Sequence, residues 1–199
     1  MSNSNVKPIP DRNHTMTPSL IIKNAAKAID FYKEVFNAKE LYKLEHDNQI
    51  MHAEMLIGNS LLMLADEMPG MDVASAETIG DTLSPTAQAE PQLKSCSAPI
   101  ILYIYVDNVD AIFNKAIESG AKVLHPLQDQ FYGDRIGAII DPFGFKWTIA
   151  THIENVPNDE IERRSKKFME KLAQKGSGDD NYKQKYLKYK QKYQQLKNE

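Results

Sequence analysis

Cysteine is almost missing from this chain: Cys96 is the only one in 199 residues. A single thiol closes no internal disulfide, which excludes a disulfide-stapled secreted scaffold and points to a reducing compartment, the cytoplasm. Cys96 lies in the polar run "LKSCSAP", without the glycine-rich turn or helix start that activates a nucleophile, so it reads as a loop thiol. Charge of one sign is also scarce. A formal net charge of -3 is too mild to make nucleic acid or an acidic substrate the main partner. Long hydrophobic runs are absent: nothing approaches the ~18 apolar residues that span a membrane. The start, "MSNSNVKPIPDRN", lacks the apolar segment of a secretory signal. What is present is ordinary for a globular protein, 42% hydrophobic and 26% charged.

The chain says the same thing twice. "TPSLIIKNAAKAIDFYKEVFNAKEL" and "ILYIYVDNVDAIFNKAIESGAKVL" each read as an apolar strand, an asparagine, an amphipathic helix and a second strand. Asn24 and Asn108 stand where a side chain should cap free helix N–H groups. Ala25, Ala28, Ile29, Tyr32 and Phe36 follow helical spacing, as do Val109, Ile112, Phe113 and Ala116. The later parts correspond too. "MHAEMLIGNSLLMLAD" reads strand, Gly-Asn turn, strand; "DRIGAIIDPFGFKWTIATH" reads strand, Asp-Pro-Phe-Gly turn, strand. Aligning Gly58 with Gly144 sets Leu62 opposite Thr148 and Asp66 opposite His152.

The boundaries follow. Residues 1–13 form an N-terminal arm, 14–67 a first βαβββ module and 100–153 a second. Residues 68–99 between them, with four prolines and little periodicity, read as a partly disordered linker, with a lid as the alternative. Residues 154–175 form a helix capped by Asn158 or Asp159, with Ile161, Phe168 and Leu172 on one face. Residues 176–199 are a low-complexity tail. Its Tyr182, Tyr186, Tyr189, Tyr193 and Leu196 make a heptad-like stripe, and its lysines are the one feature suited to nucleic acid.

Paired βαβββ modules, the turn "DPFGFKW" and the run "DQFYGDR" before it resemble the vicinal oxygen chelate superfamily. That superfamily includes glyoxalase I, bleomycin-resistance proteins and extradiol dioxygenases. "HAEMLIGNSLLMLADE" and "QFYGDRIGAIIDPFGFKWTIATH" most resemble its PhnB-like branch. The resemblance implies an α+β glyoxalase/bleomycin-resistance/dioxygenase fold. Two modules would form a curved open-barrel sheet with a ligand cavity, C-terminal helices would follow, and the protein would be a homodimer. It also implies that metal-using members carry His, Gln or Glu on the first and last strand of each module. Those positions here are Thr17, Leu62, Ile101 and Thr148, none a usual ligand. No cofactor is therefore expected.

Alternation assigns the cavity walls. Thr17, Ser19 and Ile21 share one face of the first strand, with Leu20 and Ile22 under the helix. Ile101, Tyr103 and Tyr105 share one face of the fifth, and Thr148, Ala150 and His152 one face of the last. Trp147 and Ile149 point to a helix. His52 and Glu54 share a face of the third strand, left open between cavity and water; with His14 or His152 they could make an alternative metal site. Arg135 could pair with Glu54 or hold a substrate carboxylate. Gln130 and Phe131, with Tyr132, form an aromatic and polar edge.

Tyrosines, hydroxyls and an arginine in an apolar cleft suit an organic molecule with aromatic and polar parts. The expected function is small-molecule binding without the usual metal. The competing readings are a metal-dependent lyase, isomerase or dioxygenase, with Glu54 or His152 moving a proton, and a scaffold acting through the Lys/Tyr tail.

Overall fold

The computed structural model describes residues 6–70, 73–76, 78 and 100–176. Cys96, most of the 68–99 segment and the heptad-like tail lie outside them. The described residues divide into two compact units. The first runs up to Gln128 and includes Arg135–Thr151; the second joins Asp129–Asp134 to the residues from His152 onward.

The first module contributes β1 (Ser19–Ile22), α1 (Ala25–Phe36), β2 (Lys39–His46), β3 (Gln49–Ile57) and β4 (Ser60–Asp66). The second contributes β5 (Ile101–Tyr105), α2 (Val109–Glu118), β6 (Lys122–Asp129), β7 (Asp134–Ile140) and β8 (Lys146–His152), and α3 (Asn158–Gly176) follows. Among the described residues the strands form two four-stranded sheets, in the orders β1-β4-β3-β2 and β5-β8-β7-β6, and no closed barrel. Each module closes on a parallel pair, β1 with β4 and β5 with β8. The crossover helix between first and second strand makes that pairing possible.

Local chemistry explains the elements. Asn24 accepts from Lys27 N at 3.1 Å and Asn108 from Ala111 N at 3.0 Å, so both caps stand as expected. Helix α1 ends at Asn37 in the left-handed region (φ 52°), which asparagine tolerates. Asp47 and Asn48, both at positive φ, make the tight β2–β3 hairpin. Glycine is required at 137 for space rather than conformation: a Cβ there would lie 2.5 Å from the Phe113 ring.

One core serves both modules. It holds Ala28, Ile29, Tyr32 and Phe36 from α1, Ala53 and Met55 from β3, Phe113 and Ala116 from α2, and Trp147 and Ile149 from β8. Trp147 does face a helix, but the helix is α1 of the other module, where its ring lies 4.6 Å from Phe36. Asp141, buried in the "DPFGFKW" turn, joins the modules. Its Oδ1 accepts from Phe143 N (3.0 Å) and Phe145 N (2.9 Å). Its Oδ2 accepts from Tyr32 Oη and Trp147 Nε1, both at 2.8 Å. Burial pushes the Asp141 carboxyl up, against the pull of these four donors. Burial, then the Asp141 charge, raises the Tyr32 hydroxyl well above its usual range, so it stays a donor.

The repeat alignment needs one correction. Ser19 pairs with Met63 and Tyr103 with Thr148. Ser19 and Tyr103 each stand five residues before their capping asparagine, so Met63, not Leu62, is the equivalent of Thr148. Likewise Asp66, not paired in role with His152, matches Thr151: Asp66 accepts from Ala25 N and Thr151 from Val109 N, both at 2.8 Å. The glycines misled because they serve different turns. Gly58 opens a two-residue connection, whereas Gly144 is fourth in the Asp141–Phe145 connection. A one-residue slip turns every side chain to the other face, and Leu62 is accordingly buried in the core.

Candidate functional site

The first unit holds a cavity of about 890 Å³. One wall is the end of α1 (Phe36, Asn37) and the β3–β4 turn, reaching to Leu62. The facing wall is β5 from Leu102 to Tyr105 and the start of α2 with Ala111 and Ile112. Trp147 lies between them, and His14 and Met16 of the N-terminal arm complete the lining. The surroundings are mostly apolar, with asparagines and Asp107 as polar points; no lysine or arginine is among the described lining residues. Core packing puts the cavity here. Leu102 and Ile104 turn towards the helix layer, and the Phe36–Trp147 contact closes the floor.

Among the expected site residues, this cavity gathers Tyr103 and Tyr105, whose rings lie 5.3 Å apart. Thr148 stands beside Tyr103 in register and is partly buried. Thr17 is partly buried next to the cavity-lining Met16 and Pro18, and its hydroxyl lies 3.5 Å from His14 O. Ser19 is exposed on β1.

Arg135 is elsewhere. It grips Asp110, in the first turn of α2, with Nε and Nη2 each 2.8 Å from a carboxylate oxygen. Period two puts Arg135 on the face of β7 that carries Gly137 and buried Ile139, the helix side. The expected Arg135–Glu54 pair is therefore not formed; Arg135 clasps strand to helix instead. The bond to Arg135, first, and its charge hold the Asp110 carboxyl below the usual range.

Glu54 shows what the sequence left open. Ala53 and Met55 enter the core, so His52 and Glu54 share the face opposite the helix. Glu54 is nonetheless 5% exposed. Arg12 Nη2 from the N-terminal arm stands 3.1 Å from its Oε1 and 3.0 Å from its Oε2. His52 Nε2 lies 3.5 Å from Oε1, and the His52 ring is 6.2 Å from that of Tyr42. The partnership with Arg12 had no sequence signal, because the arm carries no periodicity to place it.

His152, Gln130 and Phe131 belong to the second unit. His152 Nδ1 faces Asp134 Oδ1 at 2.7 Å and Nε2 faces Asn155 Oδ1 at 2.9 Å. Both ring nitrogens meet acceptors, so the imidazolium fits this place best. The Asp134 bond, then the Asn155 bond, raises its pKa. Gln130 begins a tight turn closed by Gly133 N to Gln130 O at 3.1 Å. Phe131 packs edge-on to Tyr132 and, at 5.4 Å, against Phe168 of α3. Gly133 O accepts from Ile153 N and Glu154 N, which fastens the turn to the chain after β8. Arg164 bridges Glu154 and Glu160, and Arg163, first, with Arg164 pulls the Glu160 carboxyl down to about 2.

The family's metal positions, corrected for register, are Thr17, Met63, Ile101 and Thr148. Two hydroxyls, a thioether and a hydrocarbon do not fit a divalent cation that wants imidazole or carboxylate. The alternative centre on His52 and Glu54 gains no third ligand: among the described residues no three His, Cys, Asp or Glu side chains converge. No described helix is long and apolar enough to cross a membrane.

Comparison with known proteins agrees with this architecture. Residues 12–149 match the model of the Glyoxalase/Bleomycin resistance protein/Dioxygenase superfamily. An uncharacterized protein of Mycobacterium bovis is 34% identical over 148 residues, 74% of this chain and 89% of its own length. An uncharacterized protein of Mycobacterium tuberculosis matches at the same identity over 79% of its length. Among solved structures, TioX from Micromonospora sp. ML1 superposes with a TM-score of 0.51 at 21% identity, covering 71% of this chain and 100% of TioX. Protein PA1353 from Pseudomonas aeruginosa gives 0.52 at 20% identity, with the same coverage of both chains. At those identities the likeness concerns the fold. Carrying both modules in one continuous match, this chain belongs to the glyoxalase/bleomycin resistance protein/dioxygenase superfamily.

Proposed function

We propose that this protein binds a small, mainly apolar organic molecule in the cavity between α1, the β3–β4 turn and β5, without a metal ion. The observation that carries the reading is the cavity itself. About 890 Å³ is within the range of small-molecule sites, roughly 300–1,000 Å³. Phe36 and Trp147 suit a ring system, Tyr103 and Tyr105 stand exposed on the edge strand that borders the cavity, and the asparagines and His14 suit polar substituents. With Asp107 the one carboxylate and no lysine or arginine in the described lining, a neutral or cationic ligand is favoured over an anion. The four metal positions supply no ligand set, which favours binding over Lewis-acid catalysis. The motifs around "GNSLLMLAD" and "DPFGFKW" favour the PhnB-like branch. Membership of the superfamily, whose members often pair, favours a homodimer.

The test uses 1-naphthol as probe, with Trp147, the sole tryptophan, as reporter. Saturable change in Trp147 fluorescence, abolished in Ala111→Phe, is expected. Ala111 is exposed at the cavity mouth, so the larger side chain obstructs the cavity without disturbing the core. A linear, unsaturating response, or an unchanged one in Ala111→Phe, overturns the reading.

A further inference from the structure

We propose that Glu54 is a second binding point, separate from the cavity, for a planar cation: the guanidinium or amidinium group of an organic ligand, for which Arg12 is the built-in competitor. Glu54 does not line the cavity, and the inference does not rest on the function proposed for it.

A carboxylate enclosed in a protein is costly unless charge and hydrogen bonds compensate it. Glu54 meets only part of that requirement. Its side chain is 7% exposed. Oε2 is buried and, despite the nearby Arg12 charge, receives no directed hydrogen bond from the described residues. The reason is the approach: one nitrogen, Nη2, divides itself between both oxygens at 3.1 and 3.0 Å. The favourable geometry is two parallel N–H bonds, one to each oxygen. Arg12 therefore supplies charge but not the fork.

Arg12 is also easy to displace. It is 55% exposed and lies on the arm before β1, outside any helix or strand. An exposed guanidinium gives up little when it returns to water. A ligand cation entering end-on would form both bonds. The surroundings suit an aryl or alkyl body: Tyr42 pairs with Glu54 across β2 and β3, and Leu44 with His52, and both apolar side chains are exposed. A guanidinium stacks readily on such an aromatic edge.

The probe is benzylguanidine, measured by calorimetry on the full chain, with benzyl alcohol as its neutral counterpart. Ala111→Phe protein, its cavity obstructed, should bind benzylguanidine and not benzyl alcohol. Arg12→Ala should tighten binding about fivefold, since removing an internal competitor raises the competent fraction. Glu54→Gln, nearly isosteric, should abolish binding, with its thermal unfolding showing that it folds. Equal binding by Glu54→Gln, or no gain in Arg12→Ala, overturns the proposal. Ala111→Phe separates the two sites: it should leave benzylguanidine binding unchanged while removing 1-naphthol binding. Loss of both probes in Ala111→Phe would also overturn it.

Discussion

Replacing Asp141 by alanine probes the joint between the modules. Four donors converge on this buried carboxylate, two of them side chains from different modules. Alanine strands the Tyr32 hydroxyl and the Trp147 indole N–H, both in the core. Each buried donor left without a partner costs about 1–3 kcal/mol. The backbone N–H groups of Phe143 and Phe145 are only part-buried, so water takes them at little cost. Relief of the carboxylate's own desolvation, visible in its raised pKa, offsets part of the loss. The expected net destabilisation is about 3 kcal/mol. Tyr32→Phe removes one donor and leaves Asp141 with three, so it should cost only about 1 kcal/mol. Urea unfolding followed by Trp147 fluorescence measures both, because the sole tryptophan sits on the joint. A double-mutant cycle should give a coupling of about 0.5–3 kcal/mol. The reasoning is refuted if Asp141→Ala is within 1 kcal/mol of wild type, or if Tyr32→Phe is as damaging as Asp141→Ala.

Two further outcomes follow from particular contacts. A Cβ at Gly137 would meet the Phe113 ring at 2.5 and 2.6 Å. Gly137→Ala should therefore cost about 1–3 kcal/mol by overpacking, and adding Phe113→Leu should restore part of it in thermal unfolding. His152 has a folded pKa raised first by its bond to Asp134. Its stabilising contribution is complete below the unfolded value, near 6.5, and is lost as pH rises through the higher folded value. Proton NMR should find the His152 midpoint above that of a free imidazole and lowered by Asp134→Asn; an unmoved midpoint would show that Asp134 does not hold the proton.

Much of this molecule is local, and its sequence determines it. The repeat, the caps at Asn24 and Asn108, the helix faces and the strand alternation that buries Leu20, Ile22, Trp147 and Ile149 are periodicities of 3.6 and 2, legible without partners. That the family's four metal positions carry no usual ligand was equally readable, and exchanging Leu62 for Met63 among them does not alter it because neither is a usual ligand. Only the tertiary structure decided the rest. Turn geometry made Met63 the counterpart of Thr148. Long-range packing turned Arg135 to Asp110 and brought Arg12, from an aperiodic arm, to Glu54. It also placed the cavity where the end of α1 meets β5, and clasped His152 between Asp134 and Asn155. The physical reason is common to all of these. Secondary structure depends on neighbours a few residues away, whereas a site depends on side chains whose meeting is set by how whole elements pack.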